Sequence, residues 1–325
     1  MNTAPDKPQR EIARTASRFL SKRIDITRVR ELAEHPDEPA VDGASWSDMA
    51  DLGWFGAGVA ESHGGVGLGV PEQIMFFREI GRYLTPGPVL GSCVAASLLA
   101  GTGAGEPLLA GLLDGDLRCG IRAGQFVLDA HQGDLYLDIT SDGTSVCRLD
   151  AGESVPSLDP GVRVMRPIAT RTVYSDASSH GFDLVSVLAG ATLVGLIEAV
   201  RDLSTEYAKT RVAFGKPIGT FQAVKHRCAE MELAAYATFS QVCLAALYLE
   251  HGHPSGGFQA ACAYRLAGNR ARLATEDTIQ NFGGIGFTAA HDAHLYLKRA
   301  LVLSRLIDPA LVRGALLMPP RHEFD

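Results

Sequence analysis

The sequence predicts a mainly α-helical protein with a small β unit set into it. Three observations carry that prediction. Apolar residues recur at helical spacing through the amino-terminal third, the period drops to two in the middle, and four long helical stretches follow from Asp183 onward.

Taken in order, Arg10–Lys22 places Ile12, Ala13, Ala16 and Phe19 at helical spacing, and Pro71–Tyr83 does so with Ile74, Phe76, Phe77 and Ile80. Pro86 and Pro88 break the pattern before an apolar helix near Leu90–Ala100. In the middle, Leu135, Leu137 and Ile139 alternate with polar neighbours. Asp142-Gly143 then supplies a hairpin turn before Ser145–Leu149, and Val162 and Val164 alternate again, so a small antiparallel unit is expected. The last part reads as helices over 183–209, 221–251, 257–281 and 291–317, an antiparallel four-helix bundle with short connections. The domains expected are therefore 1–116, 117–180 and 181–325.

Composition narrows the function classes. A net charge of −7 argues against nucleic acid, whose phosphates call for a basic face. Six scattered cysteines without a C-x-x-C pair fit a reduced protein rather than a disulfide framework or a zinc ribbon. The apolar run Leu184 to Ile197 falls short of the roughly 20 residues of a spanning helix, so no membrane is expected. Asp6, Glu11 and Asp25 interrupt the arginines of the amino terminus, which gives no targeting signal and places the protein in the cytoplasm. The pairs His251/His253 and His291/His294 have no clear third ligand, so no metal is expected. The glycines between Gly64 and Gly69 lack the strand and the Lys-Ser/Thr of a phosphate loop and read as a turn. Glu198, Glu206, Glu230 and Glu232 read as surface or interface charges on helices.

Two motifs stand out. The first is Arg211-Val-Ala-Phe214-Gly215-Lys-Pro-Ile-Gly-Thr-Phe-Gln222, and the second is Gln280-Asn-Phe-Gly283-Gly284-Ile-Gly286. A guanidinium is a planar fork of donors suited to a pyrophosphate, so Arg211 is a candidate anion clamp. Paired glycines let backbone approach a flat or charged ligand, and Gln222 and Gln280 each offer a donor and an acceptor to a ribose or an adenine edge. Taken singly, Arg211 reads equally well as a complement to a helix dipole and Gly283-Gly284 as a helix cap.

Together the motifs resemble the R-x-x-F-G…Q and Q-x-F-G-G-x-G motifs of the acyl-CoA dehydrogenase family. The stretches Leu52-Gly53-Trp54-Phe55-Gly56, Glu61-Ser-His-Gly64-Gly65-Val-Gly67-Leu and Glu79-Ile-Gly81-Arg82 are similar to the helical amino-terminal domain of that family. The resemblance covers most of the chain. It implies a three-part fold, FAD as cofactor, α,β-desaturation of an acyl-CoA, and an acceptor such as an electron-transfer flavoprotein. It also implies that Arg211, Phe214, Gln222, Gln280, Gly283 and Gly284 reach the adenosine pyrophosphate of FAD bound by a neighbouring subunit.

The family's catalytic base is a glutamate at one of two places. Counted without gaps, one falls at Ile307 and the other at Val185, with Ser186 where an arginine is expected. Both glutamates are missing, and Asp308 is the remaining weak candidate. Leu117–Gly124 stands where a C-Y-A-x-T-E-P stretch would hold the isoalloxazine ring, without its T-E-P part, and the β region is about half the usual length. The chain thus matches the set that serves a neighbour's FAD and lacks the set that serves its own. It resembles the glutamate-lacking subunit of actinobacterial heterotetrameric acyl-CoA dehydrogenases of steroid side-chain degradation. A catalytic homologue is the partner this implies. The alternatives are a self-sufficient homo-oligomer using Asp308, and a flavin-free structural or binding homologue.

Overall fold

The computed structural model describes residues 4–24, 26–35 and 38–317. The end of the expected 181–325 unit and Asp25 lie outside the described residues. Helix α1 (Lys7–Arg23) opens on a capping box. Asp6 Oδ1 accepts from Gln9 N at 2.9 Å, and Gln9 Oε1 accepts from Asp6 N at 3.1 Å. Gln9 also donates to Glu72 at 2.8 Å, which ties α1 to α4 (Val70–Arg82). Between them lie α2 (Ile26–Glu31) and α3 (Gly43–Asp51), and α5 (Val89–Leu99) and α6 (Glu106–Leu113) follow.

Strands β1 (Cys119–Ala123), β2 (Phe126–Leu128), β3 (Leu135–Thr140), β4 (Gly143–Val155) and β5 (Val164–Asp176) close into a barrel in the order β1-β2-β5-β4-β3. The expected unit was wholly antiparallel. One pair, β1 with β3, is instead parallel, and that pairing closes the barrel and leaves no open edge. The barrel is filled by Val127, Tyr136, Cys147, Leu149 and Met165. It is fastened to the helices through β1, where Cys119 N donates to Ser92 Oγ of α5 at 3.1 Å.

Helix α7 (His180–Thr210) runs through the middle of the molecule, and every residue from Asp183 to Val200 is buried. That explains an apolar stretch with no polar face. By length and composition α7 and α8 (Gln222–Glu250) could each cross a membrane, although the apolar run alone fell short. Burial of α7 among α4, α8 and α9 (Gly256–Phe282) accounts for its composition. Contact with α4 is backbone to backbone. A Cβ on Gly195 would lie 1.7 Å from Arg78 O, and one on Gly81 would lie 1.8 Å from Thr192 O. Beside it Glu198 is buried, not a surface charge, and accepts from Arg78 Nε at 2.7 Å.

The β6–β7 hairpin (Val212–Ala213, Lys216–Pro217) joins α7 to α8. The expected fourth helix is two, α10 (Ala293–Leu303) and α11 (Pro309–Leu317). Pro309 has no N–H to continue the ladder and disfavours helical backbone at Asp308, so the chain leaves the helix and restarts.

Candidate functional site

The two motifs meet at one end of the bundle. Arg211 caps α7, its N–H donating to Tyr207 O at 2.8 Å, and its carbonyl accepts from Ile218 N at 2.8 Å to close the hairpin. Phe214 and Gly215 form the hairpin tip with φ of 53° and 77°. Positive φ at both central residues matches the twist of a two-residue hairpin, and a phenylalanine there is strained. Phe214 is 95% exposed, and its ring stands edge-on to Phe221 at 6.1 Å between ring centres.

Gln222 is the first residue of α8, and Gln280 lies in the last turn of α9. The side chains of Arg211, Gln222 and Gln280 are exposed and make no hydrogen bond or ion pair within the described residues. Gly283 ends α9 at φ 63° and ψ −139°, a conformation open to glycine, and its N–H returns to Gln280 O and Ile279 O. It is therefore a helix cap. Gly284 is different: it has no such φ, and a Cβ there would meet nothing within 4 Å. Among the described residues nothing asks for glycine at that position.

An aromatic pin missed by the sequence reading holds the ends of α7 and α9 together. Phe282 lies between Tyr207 and His291, with ring centres 4.2 Å and 3.8 Å away. Its signal was an aromatic residue at each expected helix end. Burial pushes the His291 imidazole below its ordinary pKa, and its Nδ1 accepts from Ala293 N at 3.2 Å. A cavity of about 860 Å³ opens beside this pin, lined by Lys22, Arg82, Asp202, Tyr207 and Phe282.

The positions expected to hold a base lie elsewhere. Val185 and Ile307 are buried in the core. Tyr264 bridges the segment next to Ile307, donating to Leu303 O at 2.7 Å and accepting from Ile307 N at 3.3 Å. Asp308 lies off any helix, in the connection between α10 and α11. It is exposed, and its Oδ1 accepts from Ala310 N at 2.7 Å as the cap of α11. Its carboxylate is occupied at a helix start, a poor place for a base that must reach a substrate carbon.

Leu117–Gly124 supplies β1, and two spaces adjoin it. One, of about 60 Å³, lies between Gly120, Ile121, Thr192 and Leu306. The other is an open groove of about 480 Å³, whose lining includes Arg122, Asp138, Ser141, Ile307 and Asp308. Arg122 is engaged there, pairing with Asp138 at 3.1 Å. Behind the small space Arg299 is buried in an ion pair with Asp159 and donates to Thr85 O at 3.0 Å. Asp129 sits beside them and accepts from Arg163 N at 3.0 Å. Burial pushes its carboxyl up to about 7, against the pull of Arg299 and Arg163. These charges hold the barrel, α10 and the loop before α5 together. They escaped the sequence reading because each is an isolated charge whose partner lies far along the chain.

Among the described residues no group of three or more His, Cys, Asp or Glu is placed to hold a metal ion. His253 instead accepts from Ser255 N at 3.0 Å within its loop.

Comparison with known proteins agrees with this layout. The acyl-CoA dehydrogenase N-terminal domain matches residues 6–106, and the acyl-CoA dehydrogenase C-terminal domain matches residues 177–306. The chain is similar to acyl-CoA dehydrogenase IpdE2 of Mycobacterium tuberculosis, 28% identical over 310 residues, 94% of each protein. Its fold is shared with a steroid ACAD variant, Tcur3481-Tcur3483, at a TM-score of 0.79 and 22% identity, covering 95% of this chain and 96% of that one. It is shared equally with the ChsE4-ChsE5 complex from Mycobacterium tuberculosis, at a TM-score of 0.78 and 22% identity over 97% of each chain. With both flanking domains matched in order around the barrel, the chain belongs to the acyl-CoA dehydrogenase family.

Proposed function

We propose that this chain is a subunit of an FAD-dependent acyl-CoA dehydrogenase that completes the FAD site of a catalytic partner and carries no base of its own. One observation carries the reading. Among the described residues Arg211, Gln222 and Gln280 are unpaired at the surface and the Gly284 position is open, while both base positions are buried aliphatic side chains.

The residues present fit one half of FAD. Arg211 would clamp the pyrophosphate, the open backbone at Gly283 and Gly284 would let it approach, and the two glutamines would meet the adenosine. Phe214 would lie against the same half. They do not fit the ring. The small space beside β1, about 60 Å³, is far below a ligand pocket of about 300 Å³ or more. The neighbouring groove is open, and the Arg122–Asp138 ion pair stands in its wall among Ile139, Leu306, Ile307 and Leu311. Bound FAD supplies the hydride acceptor for α,β-desaturation of an acyl-CoA thioester. In the proposed division of labour the partner brings the glutamate and the ring pocket, and this chain contributes affinity and orientation.

A second observation supports an assembly. Helix α8 is apolar over most of its length, yet Leu233 is 66% and Tyr236 70% exposed on its outer face. A long helix with such a face is covered in an assembly. The names of the two structural relatives, one a complex of two chains and one a steroid ACAD, support a heteromeric assembly and a steroid side-chain thioester. We place the assembly, a heterotetramer of domains 1–116, 117–180 and 181–325 with its partner, in the cytoplasm, with an electron-transfer flavoprotein as acceptor. All six cysteines being free suits a reducing compartment.

The test is the flavin spectrum of the chain alone and co-purified with a glutamate-bearing homologue. The expected result is a colourless lone chain and a yellow mixed assembly with about half a flavin per subunit. Arg211→Ala is expected to strip flavin from that assembly. A yellow homo-oligomer with one flavin per chain would return the base to Asp308. A mixed assembly that holds its flavin unchanged by Arg211→Ala would remove the half-site.

A further inference from the structure

Asn281 stands between Gln280 and the Gly283 turn but points inward and is buried. Its Nδ2 donates to Ser204 Oγ of α7 at 2.7 Å, and its Oδ1 accepts from Arg227 Nη1 of α8 at 3.3 Å. Arg227 also lies 3.7 Å from Asp277 of α9. One amide therefore bonds to two helices from a third. These are the three helices that carry the half-site. Arg211 follows Ser204 by about two turns along α7, Gln222 precedes Arg227 on α8, and Gln280 adjoins Asn281 itself.

A buried amide is costly unless bonded, and an aliphatic residue here would serve packing as well. What the amide adds is direction. Apolar contact between helices is indifferent to small slides and rotations, whereas a hydrogen bond fixes distance and angle. The neighbouring Phe282 pin presses the ends of α7 and α9 together, and Asn281 sets their register.

We infer that Asn281 is a positioning residue that holds Arg211, Gln222 and Gln280 in register for the adenosine diphosphate half of FAD. The inference rests on the half-site reading above and adds a residue that touches no cofactor.

The test uses the mixed assembly stripped of flavin, titrated with FAD and, in competition, with ADP, well below its melting temperature. Asn281→Leu is expected to weaken both by about tenfold or more, as a small misplacement of binding groups does. ADP lacks the ring, so an equal loss for both probes places the effect in the adenosine half. Asn281→Leu binding both probes as the wild type does, even with a lowered melting temperature, would reduce Asn281 to a structural role and overturn the inference.

Ser204→Ala removes a single bond and keeps the test open if Asn281→Leu does not fold. About threefold weaker ADP binding is expected, and no change would overturn the inference. Arg211→Ala runs alongside. If it too leaves FAD and ADP binding unchanged, the half-site reading fails and takes this inference with it. If Arg211→Ala weakens both while Asn281→Leu and Ser204→Ala do not, only the positioning role falls.

Discussion

Two regions of this molecule were candidates for holding the same cofactor, and they differ in what their polar groups are doing. At the end of the bundle, Arg211, Gln222 and Gln280 are exposed and without partners among the described residues, and the Gly284 position is open. Beside β1, Arg122 pairs with Asp138 and Arg299 with Asp159, Tyr264 is bonded on both sides, and Asp308 caps a helix. A site that waits for a ligand leaves groups unsatisfied where water can stand in. Groups that are engaged with one another hold the fold instead. The contrast predicts that substitutions in the second region cost stability, while those in the first cost cofactor binding and little else.

The largest effect on folding is expected at Asp159. Removing one member of a buried ion pair leaves the other uncompensated, so Asp159→Ala is expected to cost about 3–5 kcal/mol in urea unfolding. The same substitution leaves the half-site in place at the far end of α7. A loss within about 0.5 kcal/mol would mean that water reaches Arg299, and the region could not be called closed.

Placing a glutamate at one of the expected base positions is the next step. Ile307→Glu places a carboxyl in the core beside Tyr264, and burying it without a partner is expected to cost about 2–3 kcal/mol. The lone variant is expected to gain no acyl-CoA dehydrogenase activity, because the small space at β1 remains about 60 Å³. Turnover by the lone variant with added FAD would show that only the base had been lost.

These expectations follow from contacts the sequence did not display, and the pattern of what it did display is physical. Helices α1, α4, α5, α7, α8 and α9 were legible because amphipathic or wholly apolar periods are local. The break between α10 and α11 was signalled by Pro309 but masked by apolar residues on both sides of it. The parallel β1–β3 pairing was not legible, since alternation tells which face a residue takes and not which strand lies beside it. In the proposed half-site, Arg211, Phe214 and Gly284 stood out as short motifs. Asn281, Ser204 and Arg227 were not, because a lone buried polar residue declares itself only when its partners are placed. Asn281 next to Ile279 and Phe282 at an apolar helix end was the one hint available.

A pH effect sharpens the same division. Burial raises Asp129 to about 7 in the folded protein, above an unfolded value of about 3.9. The native state then binds the proton more tightly between those values, so stability falls as pH rises from about 4 to about 7 and is level above. The groups facing the carboxyl are Arg299, Arg163 and Asp159, and the two arginines limit the size of the effect. Asp129→Asn is expected to flatten that part of the difference between pH 5 and pH 8 unfolding curves. Parallel pH profiles for both proteins would mean that Asp129 is ionised throughout and is neutralised by its arginines.

The smallest expected effect comes from the exposed region and has the opposite sign. Phe214 holds φ 53° at the hairpin tip, a backbone state that costs a phenylalanine about 1 kcal/mol and glycine almost nothing. Its ring is nearly all in solvent, so little contact is lost on removal, while glycine's greater freedom in the unfolded chain offsets part of the gain. Phe214→Gly is therefore expected to leave the lone chain as stable as before or about 0.5 kcal/mol more so. In the mixed assembly the same substitution is expected to weaken flavin retention. A strained, exposed aromatic residue whose removal stabilises the chain and loosens the cofactor has its reason outside the chain. If Phe214→Gly instead destabilises the lone chain by 1 kcal/mol or more on the order of a core substitution, the hairpin tip belongs to the fold, and the two regions differ less than their exposure indicates.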